Sequence, residues 1–385
     1  MPEAVIVATA RTPIGRAGKG SLIDCRPDDL GAFAVKKALE KVPQLDKTEI
    51  EDLMLGCGFP EEEQGMNLAR RVGLLAGLGD SVAGTTVNRF CASSLQTQRM
   101  AFHAIKAGEG TAYIAAGVES ISRTPQLPRD IAAFHPDLGG TTFTGVYMPM
   151  GNTAEQVAER FNVSREEMDA FGVRSQERAV AAQERGFFDN EIHPYTKPDG
   201  TVISKDDGPR PGTTLEKLAS LKPAFGPGGK VTAGNACSLN DGGAAVIIMS
   251  EDRARELGIT PLARIISTGV SGVDPEIMGV GPIEAVKLAL KRAKMTIDDI
   301  DQFELNEAFA AQVIPVCKAV GIDPFGDRVN PNGGAIALGH PYGMTGARIM
   351  GTLLNGLRES GKSIGLETMC VGGGQGMAMI VERLS

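Results

Sequence analysis

The apolar run Ala4-Val5-Ile6-Val7-Ala8 is followed by Arg11-Thr12-Pro13, so it reads as a short strand entering a turn and not as a signal peptide with a cleavage site. The most telling pattern lies further on, where the same rhythm occurs twice. Ala34-Val35-Lys36-Lys37-Ala38-Leu39-Glu40-Lys41 matches Ala285-Val286-Lys287-Leu288-Ala289-Leu290-Lys291-Arg292, each a helical pattern followed by a short acidic turn. Beyond that turn, Ile50-Glu51-Asp52-Leu53-Met54-Leu55-Gly56 aligns with Ile300-Asp301-Gln302-Phe303-Glu304-Leu305-Asn306, and both read as strands. Val87-Asn88 and Val329-Asn330 then each open a loop that enters a helix. Three matches in one order predict a duplicated α/β unit.

Two such units leave 121–234 as surplus. Turns rich in Pro, Gly and Asp (Thr124-Pro125, Pro198-Asp199-Gly200, Asp206-Asp207-Gly208-Pro209) surround one helical segment predicted at 153–185. The expected division is a first half of 1–120 plus 235–260, an inserted cap of 121–234, and a second half of 261–385.

Composition narrows the function class. With 385 residues and 42% apolar content the chain can bury a large core, and its longest apolar runs, such as 244–249, cannot span a bilayer; a cytoplasmic location is expected. A net charge of -8 argues against a nucleic-acid partner. The six cysteines form no C-x-x-C pair and have no His spaced for zinc, so free thiols are expected, with neither a disulfide framework nor a metal site.

Four places could carry chemistry. Cys91 stands between a strand at 84–88 and a helix at 92–107, where the helix dipole and unpaired N–H groups are expected to lower a thiol's pKa; the alternative is an inert buried thiol. His340, bracketed by Gly339 and Pro341, is fixed in the corresponding turn of the second half, ahead of a helix with Ile349, Leu353 and Leu357. If the halves pack with pseudo-twofold symmetry, these turns can meet and give Cys91 a base; otherwise His340 is a surface or capping residue. Cys370 ends a strand at 365–369, before Val371-Gly372-Gly373-Gly374-Gln375-Gly376, where glycine permits close backbone approach and offers N–H groups to an oxyanion. Met377 breaks the G-x-G-x-x-G register, too few residues follow for a helix and second strand, and Gly18-Lys19-Gly20 lacks the Ser or Thr of a Walker loop. Asn306, in Asn306-Glu307-Ala308-Phe309-Ala310, lies at a strand end, as a site residue or as a helix cap.

Over essentially its whole length the chain resembles the thiolase family. The resemblance rests on Val87-Asn88-Arg89-Phe90-Cys91-Ala92-Ser93-Ser94, Asn306-Glu307-Ala308-Phe309, 333–343 and the glycine run after Cys370. It implies a five-layer α-β-α-β-α sandwich of two duplicated halves with an inserted loop domain. It also implies ping-pong acyl transfer: 3-ketoacyl-CoA plus CoA giving acyl-CoA and acetyl-CoA, reversibly. By that resemblance Cys91 is the acylated nucleophile, His340 its activator, and Cys370 the acid and base. Two oxyanion holes follow, one from His340 with a water placed by Asn306, the other from the N–H groups of Cys91 and Gly372. Coenzyme A is then a substrate with no further cofactor, gripped by Arg210 near its nucleotide and by Phe225, Ala233 and Phe309 along the pantetheine, with Met150 over the acyl pocket. Cys237 takes the place where the family usually has Ser in its Thr-Ala-Gly-Asn-Ala-Ser run, and Pro149 replaces a histidine frequent in short-chain biosynthetic members. The Asn88-Arg89-Phe90-Cys91 wording leans toward the degradative branch of fatty-acid β-oxidation, with acetoacetyl-CoA thiolase next. A decarboxylating ketoacyl synthase needs a histidine where Asn306 stands; a Cys-His thioester hydrolase leaves Cys370 without a role; an inactive CoA-binding scaffold is at odds with two intact cysteines. A homodimer or homotetramer is expected.

Overall fold

A computed structural model describes residues 2–124, 134–139 and 144–385. The first half begins with β1 (Ala4–Arg11), β2 (Gly15–Arg16), β3 (Asp52–Gly56), β4 (Ala83–Val87) and β5 (Ala112–Ser120). Within the inserted segment β6 (Tyr195–Thr196) and β7 (Val202–Ile203) pair with each other in a small sheet of their own, and β8 (Asn240–Ser250) returns to the first half. The second half supplies β9 (Ala263–Gly272), β10 (Gln302–Leu305), β11 (Ile364–Val371) and β12 (Gln375–Arg383).

The duplication is visible in the strand pairing. In the first half β4-β3-β5 are parallel and β5-β8-β1 antiparallel. In the second, Val329 bridges β10 in parallel, β10 pairs with β11 in parallel, and β11-β12-β9 are antiparallel. The halves join into one sheet through Val5 opposite Arg264 and Ile6 opposite Ala263. The predicted helices run over Pro27–Leu39 and Pro282–Ala293, each opened by a proline whose missing N–H costs nothing at that position. The acidic turns after them are the single 3-10 turns Lys47–Glu49 and Ile297–Asp299.

Five layers follow from where the apolar side chains go. One cluster joins the first half-sheet to Pro27–Leu39 and Leu68–Leu75, through Leu30, Val35 and Val72. Another joins the second half-sheet to Pro282–Ala293 and Ala310–Val320, through Val286, Val313 and Ile314. Between the two half-sheets, Ser93–Ala107 and Thr345–Ser360 form the middle layer, burying Leu95, Phe102, Ile349 and Leu353.

One predicted element differs. The single helix expected at 153–185 is two, Met150–Arg160 and Arg165–Glu184, because Asn162 takes a left-handed conformation and the Ser164 hydroxyl caps the second helix by accepting from the N–H of Glu167. The turn expected at Thr124-Pro125 lies partly outside the described residues. No described helix is long and apolar enough to cross a membrane.

Candidate active site

Cys91 sits in the 3-10 turn Phe90–Ala92 that opens the helix Ser93–Ala107, at the end of β4. Phe90 is held at φ +42, a costly conformation for an aromatic residue, and it turns the chain so that the thiol points inward. His340 precedes the 3-10 turn Tyr342–Met344 and the helix Thr345–Ser360. The two turns meet between the halves. The N–H of Ala347 donates to Ser94 Oγ at 2.9 Å, and Gly343 lies so close to the first half that an added Cβ would stand 2.7 Å from Cys57 Cα and the Gly56 carbonyl oxygen. The tyrosine after His340 edges onto its imidazole, with ring centroids 5.0 Å apart.

The imidazole is fixed at both nitrogens. Nδ1 is 2.6 Å from Thr345 Oγ1, and that hydroxyl spends its one proton on the carbonyl of Pro341, 2.8 Å away. The threonine therefore accepts from Nδ1–H, which leaves Nε2 with a lone pair, 3.3 Å from the amide nitrogen of Asn306. Burial, reinforced by the Arg348 charge, pushes the His340 pKa down to about 3, so the ring is neutral and able to take a proton. We predict that Thr345→Val, which frees the ring to adopt the other tautomer, slows acylation by on the order of a hundredfold. That is less than the roughly 10⁴ seen for loss of a charged orienting partner, because the hydroxyl is neutral. Stopped-flow measurement of the first half-reaction checks it, and an unchanged rate would show that Thr345 does not set the tautomer.

Asn306 is not a helix cap. The next helix is Ala310–Val320, with Phe309 at its cap position, while the Asn306 backbone N–H bonds Thr368 in β11. Its side-chain oxygen is buried with no partner, an acceptor left for a donor from water or ligand.

The acidity expected of Cys91 is reversed. The N–H groups of Gly372 and of Cys91 itself do pull the thiol toward thiolate, but burial outweighs them and raises its pKa to about 12. At rest the thiol keeps its proton. Cys370, at the end of β11, is pushed up first by burial and then by Cys91 and Cys237, which places three thiols within electrostatic reach of one another. Its sulfur donates to Gln312 Oε1 at 3.3 Å. Gly373 and Gly374, at φ +76 and +82, form the hairpin turn from β11 to β12 that brings Gly372 back over Cys91.

The other expected contacts gather on one side. Arg210, Ala233 and Cys237 line a cleft of about 140 Å³ with Arg16, Gln176 and Ser238 among its other walls. Phe225 and Phe309 do not line that cleft; they stand edge to face, centroids 6.1 Å apart, with Phe225 against Gly151. Met150 lies nearer the thiols, its sulfur 3.8 Å from where a Cβ on Gly372 would be. The cleft wall is tied to the second half by pairing of Ala236 with Phe309 and by the Cys237 N–H to the Ala308 carbonyl. Among the described residues no cluster of His, Cys, Asp or Glu could hold a metal ion.

Two carboxylates missed by sequence reading hold the turns in place. Glu119, fully buried, accepts from the N–H groups of Gly58 and Gly343 and from Gln64 Nε2, so one side chain pins a first-half loop to the His340 turn. Glu307 accepts from Asn330 Nδ2, Ile336 N–H and Ser175, linking the Asn306 segment to the loop before His340. Glu119 carried no signal beyond its place near the end of β5, and Glu307 stood within the Asn306 motif without a role of its own.

Comparison with known proteins decides the family. The model of the thiolase N-terminal domain matches residues 4–252, and that of the thiolase C-terminal domain matches 259–383. The chain belongs to the thiolase family. It is 46% identical to a 3-ketoacyl-CoA thiolase of Bacillus subtilis, over 99% of this chain and all of that one, and 46% identical to a beta-ketoadipyl-CoA thiolase of Pseudomonas aeruginosa, over 99% of both. Among solved structures it resembles the crystal structure of the Bacillus anthracis acetyl-CoA acetyltransferase, with a TM-score of 0.91 and 38% identity over 100% of this chain and 99% of that one. The five-layer thiolase fold and an acyltransferase activity are thereby shown.

Proposed function

We propose that this thiolase cleaves 3-ketoacyl-CoA with CoA, carrying the acyl group on Cys91. The observation that carries the reading is the meeting of the Cys91 and His340 turns between the halves, with the imidazole locked so that its Nε2 can accept a proton. In the first half-reaction the Cys91 thiol gives its proton to His340 Nε2 as sulfur attacks the 3-keto carbon. The C2–C3 bond then breaks, and Cys370 protonates the departing acetyl-CoA carbanion. In the second, the Cys370 thiolate takes the proton of an incoming CoA thiol, whose sulfur displaces the acyl group, and Cys91 recovers its proton from His340. The N–H groups of Cys91 and Gly372 would stabilise the oxyanion on the acyl group, while His340 and a water on Asn306 would serve the acetyl-CoA oxygen. Residues 121–234 would act as the cap that holds CoA, flanked by halves of 1–120 plus 235–260 and of 261–385.

The 46% identical relatives named 3-ketoacyl-CoA thiolase support the degradative branch. The likeness to an acetyl-CoA acetyltransferase supports short-chain acetoacetyl-CoA thiolase as the second reading. Thiolysis of 3-ketoacyl-CoA substrates of increasing chain length separates them: turnover should persist beyond acetoacetyl-CoA, and activity confined to acetoacetyl-CoA would overturn the first. The reading extends to a homodimer or homotetramer working in cytoplasmic fatty-acid β-oxidation.

The proton inventory sets the pH profile. His340 is depressed to about 3 and Cys91 raised to about 12, so His340 stays neutral above the first value and Cys91 below the second. The acylation rate should therefore show no midpoint near the ordinary imidazole value of about 6.5. A fall in rate centred there would contradict a base that is already deprotonated.

A further inference from the structure

The cleft that reaches Cys237 has two arginines in its wall, and the family resemblance accounts for only one of them. Arg210 lies on the loop after Asp206-Asp207, its N–H held by Gln176 Oε1 at 2.8 Å. Arg16 comes from the other body of the protein, the short strand β2 paired with β8. Its backbone is fixed by Asp207, whose Oδ2 accepts from the N–H groups of Arg16 and Ser21 at 2.9 and 2.8 Å. The neighbouring Asp206 is clamped by Arg11, which is buried and paired with Glu191 as well, and also accepts from the N–H of Ile14. One rigid loop thus sets both arginines against the same cleft.

The described residues provide no salt bridge to Arg16 or Arg210, and Arg16 Nε is buried with no hydrogen-bond partner. The two are close enough that Arg16 disfavours the charged form of Arg210, after burial. Two like charges held together with no salt bridge among the described residues, one with a buried donor unspent, form a ready anion site. Cys237 lines the same cleft and is within electrostatic reach of Cys91 and Cys370, so an anion bound here belongs to a molecule whose other end is a thiol or thioester.

Resting on the thioester chemistry proposed above, we infer that Arg16 binds a phosphate of the nucleotide end of coenzyme A together with Arg210, making it a specificity-determining residue that separates CoA thioesters from phosphate-free pantetheine thioesters. The core of the first half and the inserted cap then grip one ligand from two sides, and correct seating of the cap is coupled to the presence of phosphate.

The test compares wild type, Arg16→Gln and Arg16→Lys on acetyl-CoA, acetyl-3′-dephospho-CoA and acetyl-pantetheine, reading acyl transfer to Cys91. Arg16→Gln should lower kcat/KM for acetyl-CoA about tenfold, the scale of one charge-assisted hydrogen bond, through KM and not kcat, and leave acetyl-pantetheine unchanged. Arg16→Lys, which keeps the charge, should recover much of the loss and guards against a folding defect in the glutamine variant. A loss on acetyl-3′-dephospho-CoA assigns the contact to the diphosphate; its absence assigns the 3′-phosphate. Equal losses on acetyl-CoA and acetyl-pantetheine, or no loss on acetyl-CoA, overturn the inference. Failure of every substrate to acylate wild-type Cys91 would instead overturn the thiolase mechanism on which it rests.

Discussion

Cys91→Ala should abolish acyl transfer, lowering turnover by about four orders of magnitude or more while the protein remains folded. The magnitude follows from the design of the site. Removing a nucleophile leaves only binding and oxyanion stabilisation, which cannot substitute for the covalent step. The fold should survive because the side chain is small, buried and held by no hydrogen bond of its own to another side chain, so truncation removes little packing. Circular dichroism and a thermal melt alongside the kinetic assay check both halves of the expectation. Residual acetyl labelling at a comparable rate would mean that another thiol carries the acyl group, and Cys237, on the cleft wall and close to Cys91, is the first to examine.

Cys370→Ala should divide the reaction instead of stopping it. Acylation by acetyl-CoA needs Cys91 and His340 to exchange one proton, and it draws on Cys370 only to protonate the departing CoA thiolate, a leaving group stable enough to depart slowly without that proton, so slow acylation should remain. Condensation and thiolysis need a proton removed from, or returned to, carbon or CoA, and these should fall by roughly 10² to 10⁴, the usual contribution of a general acid or base. Acylation followed by mass spectrometry, set beside steady-state thiolysis, measures the two separately. Equal loss of both would show that Cys370 supports Cys91 structurally. The 3.3 Å contact of the Cys370 sulfur with Gln312 marks where such support would act.

What the sequence made legible was whatever local pattern or repetition encodes. The matching helices at 34–41 and 285–292 and the strands after them announced the duplication, and the strand pairing reproduces it down to the Val329 bridge that stands in for β4. Cys91, His340, Cys370 and Asn306 could be picked out because each sits at a strand end or a turn into a helix. The break in the cap helix at Asn162-Val163-Ser164 was also written locally, as a left-handed residue before a capping serine, but an apolar pattern continuous on both sides masked it. The acidity of Cys91 misled for a different reason. The helix start is a local property and favours thiolate, whereas the burial that opposes it comes from β11 and the Tyr342–Met344 turn of the second half packing on the Phe90–Ala92 turn, and no window of sequence contains it. The same holds for Thr345, whose role depends on the hydroxyl having already given its proton to Pro341, and for Glu119, which joins residues more than two hundred positions apart in the chain. Arg16 was invisible because its meaning comes from Arg210 on a separate segment.

The central claim is that one thiol among six carries the acyl group. Incubation of the wild-type protein with acetyl-CoA, rapid acid quenching and peptide mapping test it directly. One acetyl group per chain is expected on the peptide containing Cys91, discharged when free CoA is added. Acetyl on Cys370 or Cys237 with Cys91 unmodified would contradict the account.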